Sequence, residues 1–144
     1  MNNLSFSFHK KERLCGEIRI NELFGKGKAF TVFPFRVVFC KKEKEASTVR
    51  LCSLTASLSD RKTPAKILIS VPKKRIKRAN VRNLVKRRIR ESYRLHKHSL
   101  YSALETKDFS LDFALLYLAG EPLDFSQMEA KMIEVIETLT RKLQ

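Results

Sequence analysis

Between Lys73 and Arg94 the chain reads KKRIKRANVRNLVKRRIRESYR, in which eleven of twenty-two residues are Lys or Arg and Glu91 is the one acid. A chain with so much like charge in one place folds only if the apolar residues among it share one side and bury it, leaving the bases in water. The spacing meets that condition. From about Ala79 to Leu104, apolar residues recur at Val81, Leu84, Val85, Ile89, Tyr93, Leu100 and Leu104, the i, i+3, i+4 repeat of an amphipathic helix. At about 100° per residue, Arg82, Lys86, Arg90, Arg94 and Lys97 fall on the opposite arc, together with Asn83 and Arg87. Arg88 falls inside the apolar arc, so its guanidinium must reach out of the core or find a partner there.

The flanking sequence supplies what this helix packs on. Glu17–Phe24 (EIRINELF) sets Ile20, Leu23 and Phe24 at helical spacing, and Gly25 and Gly27 stop the helix. AFTVFPFRVVFC reads as a strand with Phe33, Phe35, Val37 and Phe39 on its core face and Arg36, Val38 and Cys40 on the other. Lys41–Glu45 (KKEKE) is a polar turn, and TVRLCSLTASL a second strand. AKILISVP is a third, with Ile67, Ile69 and Val71 on one face and Pro72 as its end. After the basic helix, SLDFALLYLAGEP makes a fourth strand closed by Gly120 and Pro122. The last helix, DFSQMEAKMIEVIETLTRKL, turns Met128, Ile133, Ile136 and Leu139 inward. The order helix, three strands, helix, strand, helix predicts an α+β fold, helices layered on a small sheet. Length and a 43% hydrophobic content fit one domain over 1–144, with residues 1–13 a basic, flexible arm.

Charge narrows the function. Thirty bases against fifteen acids leave +15, of which Lys73–Arg94 alone supplies +10. Surface helices ordinarily interleave Glu with Lys; this one places like charges at 82, 86, 90 and 94, a mildly destabilising pattern that calls for a polyanion. An anionic membrane fits less well than nucleic acid, because the apolar arc is needed for the core. Arg outnumbers Lys in the helix, which suits bidentate phosphate contact. Catalytic groups do not assemble: His9, His96 and His98 include no i,i+4 pair, the carboxylates are scattered, and Gly25-Lys26-Gly27-Lys28 lacks the GxxxxGK[ST] pattern. Cys15, Cys40 and Cys52 match no zinc framework and read as free thiols. With no signal-peptide core and no apolar run long enough to cross a membrane, the expected location is the cytoplasm.

Two segments carry a family resemblance. Ser70-Val71-Pro72-Lys73-Lys74, then Arg82-Asn83-Leu84-Val85-Lys86-Arg87, resemble in order and nearly in spacing two signatures of the bacterial ribonuclease P protein component. These are a strand ending in Ser-Val-x-Lys-Lys, and a helix opening Arg-Asn-Arg followed by an apolar residue and Lys-Arg. Leu84 stands where the family has its second Arg, one extra residue separates the motifs, and the Phe39–Ala65 segment is longer than usual. The resemblance implies a four-stranded sheet packed with three helices, αβββαβα, with a left-handed βαβ crossover. It implies a protein subunit with no active site of its own, whose partners are the ribonuclease P catalytic RNA and precursor transfer RNA, with no membrane and no obligate protein partner. The RNA carries out the magnesium-dependent cleavage that matures the transfer RNA 5′ end. By the same resemblance, Lys73, Lys74, Arg78, Arg82, Asn83, Lys86, Arg87 and Arg90 bind RNA, and Phe24, Arg36, Val38, Leu68 and Ser70 form a cleft for the single-stranded 5′ leader. The alternatives are a ribosomal or other structured-RNA protein without catalytic association, a DNA-binding helix, and a protein-only nuclease.

Overall fold

A computed structural model describes residues 8–43 and 64–143. In chain order the elements are α1 (Glu17–Lys26), β1 (Lys28–Val32), β2 (Phe35–Glu43), β3 (Ala65–Ser70), α2 (Ala79–Glu105), β4 (Phe109–Tyr117) and α3 (Phe125–Leu143). The strands form one sheet in the order β1-β2-β4-β3. β2 pairs antiparallel with both β1 and β4, whereas β3 and β4 run parallel, joined by α2 as a βαβ crossover.

Alternation along the strands gives the sheet two apolar faces. On one, Phe35, Val37, Phe39, Ile67, Leu111, Phe113, Leu115 and Tyr117 meet Val85, Ile89, Tyr93, Leu100 and Leu104 of α2 and Met128, Met132, Val135, Ile136, Leu139 and Leu143 of α3. Tyr93 lies edge-on to Phe113 with ring centroids 5.8 Å apart, a favoured aromatic geometry that locks α2 onto β4. On the other face α1 buries Leu23 against Val38, Ala114 and Leu14. Two ion pairs fix how α1 lies. Arg19 holds the buried Asp112 of β4 through contacts of 3.0 and 3.1 Å from Nη2 and 3.3 Å from Nε, and Glu22 pairs with Lys42 of β2. Gly27 follows because the backbone is tight there: a Cβ would lie 2.2 Å from the Leu23 carbonyl oxygen and 2.9 Å from Val38 Cγ1.

Several expectations change. AFTVFPFRVVFC is a hairpin and not one strand: Phe33 and Pro34 form a two-residue turn with a cis peptide between them, since proline has no N–H to continue a ladder. Phe33 is therefore 62% exposed instead of buried, while Phe35, Val37 and Phe39 face the core as expected. The hairpin supplies the extra strand before α2; TVRLCSLTASL lies outside the described residues. Lys41, Lys42 and Glu43 continue β2, paired with Leu111, Ser110 and Phe109, where a turn was expected. α1 runs through Gly25 and ends at Gly27. Leu84 is 38% exposed and Ile133 is also at the surface, with Met132 and Val135 taking the inward positions of α3.

Lys97 differs most. It is buried, one turn beyond Tyr93, where Nζ lies 2.6 Å from Glu12 Oε1; the Tyr101 hydroxyl donates to the same oxygen at 2.5 Å, and the His9 N–H to Glu12 Oε2 at 2.6 Å. From Phe8 onward the expected flexible arm is docked: Phe8 packs edge-on against Tyr93 and Leu14 N–H donates to the Ile67 carbonyl at 2.8 Å. Burial alone would raise the Glu12 carboxyl, but the hydrogen bonds from Lys97, Tyr101 and the His9 N–H outweigh it and hold the group below its usual range.

A depressed folded-state pKa contributes stability that is present above the unfolded value, about 4.3, and is lost as pH falls through the folded one. Glu12→Gln should therefore flatten the acid limb of stability against pH in urea unfolding. Glu12→Ala removes the carboxylate that pairs with the buried Lys97 ammonium and should cost about 3–5 kcal/mol, whereas adding Lys97→Met should recover most of it. A single-variant cost within about 0.5 kcal/mol, the range of ordinary surface changes, would mean that the arm contributes nothing to the fold.

Candidate nucleic-acid interface

β3 delivers the chain into a turn at Lys73–Arg75, where the Arg75 and Ile76 N–H groups donate to the Pro72 carbonyl at 3.0 and 3.2 Å. Ile76 is buried and anchors the loop, so Lys73, Lys74 and Arg78 stand exposed, with Arg75 and Lys77 beside them. Arg82 fastens the loop to the helix: its Nη1 donates to the Ile76 carbonyl at 3.0 Å and the Lys77 carbonyl at 2.8 Å. α2 begins at Ala79 without a side-chain cap and without an acid in its first turn. Its free N–H groups and positive dipole end thus add to the charge of the loop.

Along α2 the bases divide into two sets. Arg88 Nη1 donates to the Leu123 carbonyl at 2.6 Å, which resolves its place in the apolar arc; Arg94 pairs with Glu91, and Lys97 with Glu12. Asn83 and Arg87 are exposed and Arg82, Lys86 and Arg90 half-buried, on one continuous face. None of these four bases is in an ion pair with a described carboxylate. Arg90 instead has its pKa lowered, by burial first and then by the nearby charges of Arg13 and Arg87. Arg13 was not singled out from the sequence. The docked arm brings it here, its guanidinium 5.6 Å from the Phe8 ring centre, and no spacing rule connects it to a helix so far along the chain. Cations crowded in this way gain from a bound anion, and guanidinium groups have the geometry to take phosphate.

The predicted cleft residues lie on the α1 face of the sheet. Register places Thr31, Arg36, Leu116 and Ser70 in one row across the four strands, and Ala29, Val38, Ala114 and Leu68 in the next. α1 covers the second row at Val38, which is buried, so that residue forms a floor under the helix and offers no surface. Arg36 is exposed and Leu68, Ser70 and Leu116 half-buried, leaving the first row open. Arg19 and Glu22 of α1 are held toward Asp112 and Lys42, away from this row. Ile20 and Phe24 lie about 100–160° further round the helix; Ile20 packs against the cluster of Leu23, Val38 and Ala114, and Phe24 is 46% exposed. Leu116 and Ala114 were missed because only strand register reveals them. Among the described residues no group of three or more His, Cys, Asp and Glu is placed to hold a metal ion, and no helix is long and apolar enough to cross a membrane.

Residues 8–140 match the model of the Ribonuclease P family. The chain is 39% identical over 128 residues to the ribonuclease P protein component of Porphyromonas gingivalis strain ATCC 33277, spanning 89% of this chain and 82% of that protein. Its fold is similar to that of the RNase P protein of Staphylococcus aureus, with a TM-score of 0.63 and 20% identity over 89% of this chain and 94% of that one. It is similar also to the RNase P protein from Thermotoga maritima, with a TM-score of 0.61 and 20% identity over 88% and 96%.

Binding of structured RNA measured against salt separates the roles of these side chains. Lys86→Ala and Arg87→Ala should each weaken binding across RNA sequences and flatten the slope of log K on log salt by about 0.7–0.9. Arg82→Ala should lose more affinity than either, because it also releases the Lys73–Arg78 loop. Leu84→Ala should change stability by less than about 1 kcal/mol, as an exposed position does. Unchanged slopes for Lys86→Ala and Arg87→Ala together would make this face simple solvated charge.

Proposed function

Because the chain belongs to the bacterial ribonuclease P protein family, we propose that it works beside a catalytic RNA, which performs the hydrolysis, and that its substrate is precursor transfer RNA, cut at the 5′ end. The observation that carries this reading is the pairing of two different surfaces on one sheet: an uncompensated cationic face on α2 and its preceding loop, and an open row of Arg36, Leu116 and Ser70 on the opposite side.

The first surface suits folded RNA. Arg82, Lys86, Arg87 and Arg90, with Lys73, Lys74 and Arg78 from the loop, bind phosphates, and Asn83 supplies a neutral donor and acceptor for base or sugar edges. The second suits a single strand: apolar Leu68 and Leu116 for bases, Arg36 for the backbone, and the exposed Phe24 of α1. Held between catalytic RNA and substrate, a +15 protein reduces the repulsion of two polyanions that magnesium would otherwise screen. Magnesium supplies the metal-ion chemistry of the RNA, and the compartment is the cytoplasm.

Two measurements test this. Purified protein alone should leave precursor transfer RNA intact; with its catalytic RNA, cleavage should appear and need less magnesium than the RNA alone. Site-specific cleavage by RNA-free protein would place the chemistry on the protein. Arg36→Ala should weaken binding of precursors whose leader reaches the sheet and leave a leaderless transfer RNA unaffected; an equal loss for both would remove Arg36 from the leader site.

A further inference from the structure

Phe33 has no role in the core or in either surface above. It stands at the tip of the β1–β2 hairpin, 62% exposed, although Pro34 and Phe35 on its C-terminal side are buried. The tip is held in place: the Leu118 N–H donates to the Pro34 carbonyl at 2.7 Å, and Phe35 packs edge-on to Tyr117 at 6.1 Å. The anchored turn thus presents a large aromatic side chain to solvent, and its place is informative. Register sets Val32 opposite Phe35 and Thr31 opposite Arg36, so the tip lies at the same end of the sheet as the open row ending in Ser70. Arg36 is exposed and in no ion pair with a described carboxylate.

We propose that Phe33 is a stacking platform for an unpaired base of the leader that has passed across the Ser70–Leu116–Arg36 row, extending the leader site beyond the sheet to the hairpin tip. The occupant is single-stranded nucleic acid, because an exposed ring three residues before an exposed Arg36, on a chain of net charge +15, suits the bases and phosphates of one strand; stacking on it is sequence-tolerant. The row runs outward from the β3 edge, where the loop leading into α2 begins, so Phe33 engages leader nucleotides further from the catalytic RNA than those at Ser70. This inference rests on the assignment of the sheet face to the leader.

The test uses the full-length protein assembled with its catalytic RNA and precursor transfer RNAs whose leaders are extended one nucleotide at a time. For wild type, Arg36→Ala, Phe33→Ala and Phe33→Trp, affinity is measured at each length. Phe33→Ala should weaken long-leader substrates about five- to hundredfold, with an onset at a longer leader than the Arg36→Ala effect, while Phe33→Trp keeps wild-type affinity or improves it. If Phe33→Ala follows wild type at every length while Arg36→Ala retains its leader-dependent loss, the inference fails and the leader site ends at the sheet. A Phe33→Ala loss that is the same for a leaderless transfer RNA also overturns it, by moving the contact to another part of the assembly. If neither variant shows dependence on leader length, the leader assignment itself falls.

Discussion

Val85, Ile89, Tyr93, Leu100 and Leu104 are packed on the sheet along one side of α2, while Arg82, Lys86, Arg87 and Arg90 crowd its outer side, none of them in an ion pair with a described carboxylate. The apolar side provides the free energy that keeps the charged side in place. Burying five large side chains outweighs the few tenths of a kcal/mol that each i,i+4 repulsion costs, so the helix can carry an arrangement that would be unfavourable in an isolated peptide. In the proposed function, phosphate would remove that repulsion, so that affinity for RNA would be drawn from a strain that the core tolerates.

The sheet serves both surfaces because β4 is central and apolar on both faces. Phe113 and Leu115 face α2 and α3, while Ala114 faces α1, a small residue that lets a helix lie close. Asp112 is the polar interruption, and Arg19 answers it, so the charge pair specifies where α1 crosses. Had α1 crossed nearer the β1–β2 tip, the row through Arg36 would be covered. The docked arm plays a similar part on the other side: Glu12, held by Lys97 and Tyr101, places Arg13 beside Arg90.

Periodicity made the two long helices, β3 and β4 legible, and the motifs around Ser70 and Arg82 made the family legible. What it missed has specific causes. A two-residue turn at Phe33-Pro34 reads as an uninterrupted strand, since Phe33, Phe35, Val37 and Phe39 keep alternate parity across it. Leu84 and Ile133 sit at the margins of their apolar arcs, and spacing alone does not say which margin meets a neighbour. Lys97 has the wrong chemistry for the core until Glu12 is beside it, and a partner 85 residues away in sequence leaves no local trace. Alternation put Arg36 and Val38 on the strand face opposite Phe35, Val37 and Phe39, where the structure has them, but whether Val38 is open or covered depends on the path of α1.

The central claim is that the two surfaces contact different RNAs. Crosslinking in the assembled particle tests it most directly, with a photoreactive amino acid placed at Asn83 on α2 or at Thr31 beside Arg36, both exposed. The Asn83 position should label the catalytic RNA, and the Thr31 position the leader of the precursor. Labelling of the leader from Asn83 and of the catalytic RNA from Thr31, or of one RNA from both positions, would contradict it.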